Sequence, residues 1–157
     1  MTQRITTIEA NLLRMRPGVL AHGVNMQGKF GKGLALEIRR RMPAVYEDYM
    51  KAYTAGQLTL GHVVFTQLPN DVHVASIVTQ QYYGKDPKTR FMLPSALCTG
   101  LSRTITYGRR RNLHVYMPQI GAGLGHVPWE ETEQHLIETI GENLKYVTVC
   151  VLPPAGI

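Results

Sequence analysis

The sequence predicts an α/β chain folded as a three-layer α/β/α sandwich around a mixed central sheet. Three observations carry that expectation. Apolar strand-like runs alternate with segments of helical periodicity along the chain. Two glycine-rich loops, Gly31 to Gly33 and Gly121 to Gly125, each fall between an apolar run and a helical pattern. The closing run, Val147 to Leu152, is rich in β-branched residues, as expected of a strand covered on both faces.

Ile5 to Leu13 reads as the first strand and Val19 to Asn25 as the second. Helices are expected over Leu34 to Met42 and Ala44 to Ala55, parted by Pro43. The latter aligns Val45, Tyr49 and Tyr53 on one stripe that Tyr46 and Met50 widen, so it faces a core. Leu60 to Leu68 and Val72 to Thr79 flank the turn-forming cluster Pro69-Asn-Asp71, which predicts an antiparallel pair and makes the sheet mixed. A helix from Pro94 to Tyr107 has Leu97, Leu101 and Ile105 on one face, with the proline in its first turn. After a strand at Leu113 to Met117, a last helix runs from Trp129 to about Asn143. Its opening acids, Glu130, Glu131 and Glu133, complement the positive end of the helix dipole.

With 157 residues and 44% hydrophobic content, the chain makes one domain over residues 1 to 157. Its start lacks a signal-peptide core and no apolar run reaches the roughly 18 residues of a membrane span, so a cytoplasmic protein with no membrane partner is expected. Cys98 and Cys150 form no C-x-x-C and lie in apolar patterns, which indicates neither disulfide nor zinc. His62, His73, His114 and His135 show no metal-ligand spacing, so neither metal nor cofactor is expected. Six of the 17 basic residues behind the net charge of +6 lie in Arg39 to Arg41 and Arg109 to Arg111, at predicted helix ends. Neither run looks interleaved with aromatic residues, so nucleic acid is not an expected partner; a monomer is.

In open α/β sheets ligands lie beyond the carboxyl ends of the strands, where both glycine loops fall. Each loop delivers backbone N–H groups to a helix N-terminus, an anion site, and two such loops suggest a diphosphate. The segment Gln80 to Gly84 follows a third strand into the same crevice, with Tyr82 or Tyr83 packing against the ligand. Met26 and Phe30 border the first loop, and Trp129 reads as a packing anchor beside the second. His22 and Asn25 end a strand but differ by an odd number, so both can face the crevice only if the strand breaks between them, which is expected at Gly23.

These residues resemble the macro domain, an ADP-ribose-binding family. The likeness spans nearly the whole chain and rests on His22-Gly-Val-Asn25, on Gly31-Lys-Gly33-Leu-Ala, and on Pro118-Gln-Ile-Gly-Ala-Gly-Leu-Gly-His-Val-Pro128-Trp. Met117-Pro-Gln-Ile120 and Val127-Pro-Trp-x-Glu-Thr132 bring it nearest to the fungal-type ADP-ribose 1″-phosphate phosphatases, and the stretch Gln80 to Gly84 is similar to that of small bacteriophage proteins. The resemblance implies ADP-ribose or its 1″-phosphate as the ligand. It implies Asn11 at the adenine, Asn25 at the distal ribose, Gly31, Lys32 and Gly33 beside the diphosphate, and Gly121, Ala122, Gly123, Leu124 and Gly125 opposite.

Metal-free hydrolysis of a phosphomonoester requires donors for the phosphate, a placed water and an acid for the leaving oxygen. His22, Asn25, Gln81, Lys32 and His126 are the candidates, with His22 as general acid or base. The branches that remove ADP-ribose from glutamate or from DNA bases carry a Lys where Gln80 or Gln81 stands, and one class has an Asp at Gly125. Their absence argues against those chemistries, although Lys85 lies close in sequence. An ADP-ribosyl or O-acetyl-ADP-ribose hydrolase and a non-catalytic reader remain the alternatives.

Overall fold

The computed structural model describes residues 4–84, 86 and 88–152. Its six strands are β1 (Thr7–Glu9), β2 (Gly18–Asn25), β3 (Val63–Leu68), β4 (Val72–Gln80), β5 (Val115–Met117) and β6 (Val147–Val151), in the spatial order β1-β6-β5-β2-β4-β3. All pairs are parallel except β3 with β4, so the sheet is mixed as expected. The β3–β4 turn puts Asn70 and Asp71 at φ 66° and 55°, a conformation their short polar side chains tolerate.

Four helices, α1 (Gly33–Arg41), α2 (Pro43–Thr54), α3 (Pro94–Arg110) and α4 (Trp129–Ile140), complete the layers. Strand alternation divides the core. Val19, Ala21, Ala75 and Ile77 meet Leu97 and Leu101 of α3 and Leu136 of α4. Leu20, Val24, Val74 and Val78 meet Ile38 of α1 and Val45 and Tyr49 of α2.

The strands expected from Leu60 and Leu113 start at Val63 and Val115, the helix expected to end at Tyr107 runs to Arg110, and three further departures have a local cause. The first strand stops at Glu9 because Asn11 accepts a hydrogen bond from Leu13 N–H (3.0 Å) and caps a 3₁₀ turn, Leu12–Arg14, that buries both leucines. The last helix ends at Ile140, where Gly141 takes φ 66°, and a 3₁₀ stretch, Gly141–Tyr146, leads into β6. β2 does not break at Gly23 but runs unbroken to Asn25; its register with β4 shifts between Val24, which pairs with Val78, and Asn25, which pairs with Gln80, leaving Thr79 as the extra residue on β4.

Candidate functional site

A crevice of about 620 Å³ opens beyond the carboxyl ends of β2, β4 and β5. The two glycine loops form its walls, and Thr79, Gln80, Tyr83 and Gly84 supply a third side. Its described lining includes the cations Lys29, Lys32 and Arg39 and no Asp or Glu. Among the described residues, the backbone N–H groups of Gly31, Lys32 and Gly33 on one wall and of Gly123, Leu124 and Gly125 on the other have no protein acceptor. A surface of free N–H groups and cations without carboxylates suits a multiply charged anion.

Asn25 is buried, and its side chain shapes the first loop. Its Oδ1 accepts from Gln27 N–H (2.9 Å) and Lys29 N–H (3.3 Å), while Nδ2 donates to the Lys29 carbonyl (2.9 Å). Tyr49, rising from α2, donates its hydroxyl to the Asn25 carbonyl (2.7 Å) and accepts from Gly28 N–H (3.1 Å). Burial is the main reason the Tyr49 phenol is pushed up to about 12, so it remains a donor. In the sequence Tyr49 reads only as core, although a buried tyrosine hydroxyl must find a partner.

His22 sits on the floor. Its Nε2 lies 2.8 Å from Ser76 Oγ on the adjacent strand, and the ring meets the edge of Phe30 at 5.4 Å. Phe30 folds inward and packs on Tyr46 and Tyr49. Burial lowers the imidazole to about 4, so His22 is uncharged at neutral pH and holds no imidazolium proton to give.

The second loop is ordered by backbone contacts. Val127 N–H donates to the Gly121 carbonyl (2.9 Å), and the Gly125 carbonyl accepts from Phe91 N–H (2.9 Å) and Met92 N–H (3.2 Å). Gly121 has φ +86°, and a Cβ there would collide with Met92; a Cβ on Gly125 would lie 2.7 Å from Gly121 Cα and from Met92 Cβ. Glycine is demanded at both positions.

Gly31, Lys32, Gly33, Gly121, Gly123, Leu124, Gly125, His22, Asn25 and Tyr83 therefore share one crevice. Five expected members do not line it. Asn11 spends its amide oxygen on Leu13 N–H. Ala122 is exposed and donates its N–H to the Gln119 carbonyl. Gln81 is exposed and bonds the Tyr82 hydroxyl (3.0 Å), and Tyr82, 57% exposed, points out with it. His126, at φ 57°, turns Nδ1 to the Thr89 carbonyl (3.0 Å) and its ring toward Phe91. Lys85 lies outside the described residues. Trp129 is a core anchor, and His73 and His114 are held by Tyr107 Oη (2.6 Å) and Thr148 Oγ1 (2.8 Å). Lys29, Arg39, Tyr46, Thr79 and Gln119 line the crevice without having been singled out for it. Among the described residues, no three His, Cys, Asp or Glu side chains gather to hold a metal.

The macro domain family model matches residues 21–136. The chain belongs to the macro domain family. This macro domain is 33% identical over 156 residues to the DNA ADP-ribosyl glycohydrolase of Mycobacterium tuberculosis, covering 97% of this chain and 43% of that protein. It thus spans less than half the length of that relative. It is 25% identical to the ADP-ribose 1″-phosphate phosphatase of Saccharomyces cerevisiae, covering 88% and 94% of the two chains. The solved macrodomain of Mycobacterium tuberculosis DarG superposes with a TM-score of 0.76 at 28% identity, covering 96% of this chain and 97% of that one. The glycohydrolase is therefore the nearer of these two relatives, whereas the motifs had pointed toward the phosphatases.

Proposed function

We propose that this macro domain binds ADP-ribose in the crevice and hydrolyses ADP-ribose 1″-phosphate to ADP-ribose and phosphate without a metal. The observation that carries the reading is the lining, which among the described residues has N–H groups without a protein acceptor on both walls, Lys29, Lys32 and Arg39, and no carboxylate. The second loop would hold the diphosphate and the lysines would offset the charge of the terminal phosphate. Water would add to phosphorus as the bond to the sugar oxygen breaks, and the proton that the water gives up would pass to that oxygen. His22, uncharged and with Nδ1 free of protein partners among the described residues, would hydrogen-bond the reacting group; Asn25 would keep the first loop in shape. The likeness to the yeast phosphatase supports this reading.

A second reading, removal of ADP-ribose from a nucleobase, is favoured by the higher identity to the mycobacterial glycohydrolase. Against it stand Gln80 and Gln81, at one of which the resemblance puts a lysine; Gln80 lines the crevice and donates Nε2 to the Tyr82 carbonyl (2.7 Å), and Gln81 is exposed. One experiment separates the readings: the protein in EDTA is given ADP-ribose 1″-phosphate and, separately, an ADP-ribosylated oligonucleotide. Phosphate release from the first with no ADP-ribose released from the second is expected. The reverse pattern would establish the glycohydrolase, and calorimetry without heat at millimolar ADP-ribose would move the site out of the crevice.

A further inference from the structure

α3 follows β4 and runs back against the sheet, so its C-terminus reaches the end opposite the crevice, where Gly108 packs against Leu113, Val115 and Val19. At the α3 end the structure corrects the expectation that its arginine run lacks aromatic company. The Arg111 guanidinium lies 3.6 Å from the Tyr107 ring centroid, and its Nη1 donates to the Tyr107 carbonyl (3.1 Å). Arg109 lies over Tyr146 at 4.6 Å, and the Lys145 ammonium is 5.4 Å from the same ring. Tyr107 is itself fixed, stacked on Phe65 with centroids 3.9 Å apart and its hydroxyl 2.6 Å from His73 Nδ1.

Arg109, Arg110, Arg111 and Lys145 are all exposed, and among the described residues none forms an ion pair with a carboxylate. Asp71 of the β3–β4 turn lies near this cluster, its charge acting on His73 together with that of Arg111, and Glu142 shares the 3₁₀ stretch of Lys145. We propose that this end of the sheet binds the phosphate backbone of nucleic acid. A guanidinium seated over a tyrosine ring has lost part of its conformational freedom in advance, and the donors that Arg111 does not spend on the Tyr107 carbonyl remain for a phosphate. The outer plane of the guanidinium is one on which an unpaired base can stack. Among the described residues the large apolar side chains left exposed lie on other segments, so the described surface offers neither a wedge for a bilayer nor an apolar anchor for a protein partner.

The inference is independent of what the crevice hydrolyses. Its test is anisotropy of a labelled single-stranded oligonucleotide of about 20 nucleotides, titrated between about 50 and 200 mM salt. Arg109→Glu/Arg111→Glu/Lys145→Glu should weaken binding at least 10-fold at the lower salt and flatten the log–log salt slope by about 2, the loss of three single-strand phosphate contacts. Arg109→Lys/Arg111→Lys keeps the charge, loses the planar fork and should weaken binding a few-fold; it decides the matter if melting shows the triple variant unfolded. Gly123→Glu, across the molecule, should leave oligonucleotide binding intact. Absence of binding by the unaltered protein, unchanged affinity in the charge-preserving variant, loss of binding in Gly123→Glu, or binding to phosphatidylserine vesicles in place of the oligonucleotide would each overturn the proposal.

Discussion

The two loops that face each other across the crevice are built by opposite means. The first, from Asn25 to Gly33, is held from inside by side chains: the Asn25 amide makes three bonds to its backbone, and Tyr49 reaches up from α2 to two more atoms. The second, from Pro118 to Val127, is held by backbone bonds to itself and to Phe91 and Met92, and by the missing Cβ atoms of Gly121 and Gly125. The shape of one loop is therefore stored in two side chains and that of the other in their absence. Among the described residues, both arrangements leave crevice-lining N–H groups without a protein acceptor.

The sharpest break in that symmetry is expected between two glycine-to-alanine changes. Gly121→Ala forces a non-glycine residue to φ +86° and drives a methyl into Met92, which together should cost about 3–4 kcal/mol. Gly31→Ala meets nothing within 4 Å and should cost no more than about 0.5 kcal/mol. Urea titrations of both variants measure the difference. Equal costs would mean that the second loop repacks around an added Cβ as freely as the first.

The floor of the first loop yields the next largest effect, through pH. Burial holds His22 at about 4 in the folded chain, against the ordinary 6.5 when unfolded, so the unfolded state binds more protons between those values. The contribution is fully present above about pH 6.5, declines as pH falls through the window and is lost below about 4. It amounts to roughly 3 kcal/mol, at 1.36 kcal/mol per unit. His62, His73 and His114 are lowered too, so the slope must be compared with that of His22→Gln. A variant whose stability falls as steeply as the wild type between pH 6.5 and 4 would show that His22 is not the responsible group.

The same contrast separates what was legible in the sequence from what was not. Periodicity and turn residues gave the layers, the antiparallel β3–β4 pair and both glycine loops, because those signals are local. What the side chains do with their polar atoms was not local. Asn11 reads as a ligand contact until its oxygen is seen capping a 3₁₀ turn three residues long. His126 follows the right loop, but a positive φ turns it to Thr89. The strand break was expected at Gly23, the residue with the most backbone freedom, whereas the register slips at Val24/Asn25. Tyr107 stands four residues before Arg111, one helical turn, so that stacking partner was visible in the spacing; Tyr146 under Arg109 was not.

Asn25→Ala tests the side-chain half of the comparison at a smaller scale. It leaves Gln27 N–H, Lys29 N–H and the Lys29 carbonyl without their protein partner and should cost about 2 kcal/mol, measured in urea. Affinity for ADP-ribose should fall in the same variant, since the loop that presents Gly31 to Gly33 loses its internal brace. Tyr49→Phe removes the bonds to the Asn25 carbonyl and from Gly28 N–H but keeps the ring against Phe30 and all three bonds of the Asn25 amide to the loop backbone, and should give a lesser loss in both readouts. A folded Asn25→Ala with full affinity would show that the backbone holds the first loop unaided, and the contrast between the loops would disappear.

The smallest effect is expected beneath the second loop, with the opposite sign. Thr132, fully buried in the first turn of α4, has a hydroxyl with no partner among the described residues, while its N–H donates to the Pro128 carbonyl at 3.3 Å. If apolar packing and backbone bonds alone support this side of the crevice, that hydroxyl costs desolvation and returns nothing. Thr132→Val keeps the branched shape, removes the polar atom and should stabilise the fold by up to about 1 kcal/mol, read as a rise in Tm, with ADP-ribose affinity unchanged. A loss of stability would instead place a bound water on the Thr132 hydroxyl. The second loop would then rest, like the first, on a side-chain hydrogen bond, and the two walls of the crevice would be alike in construction after all.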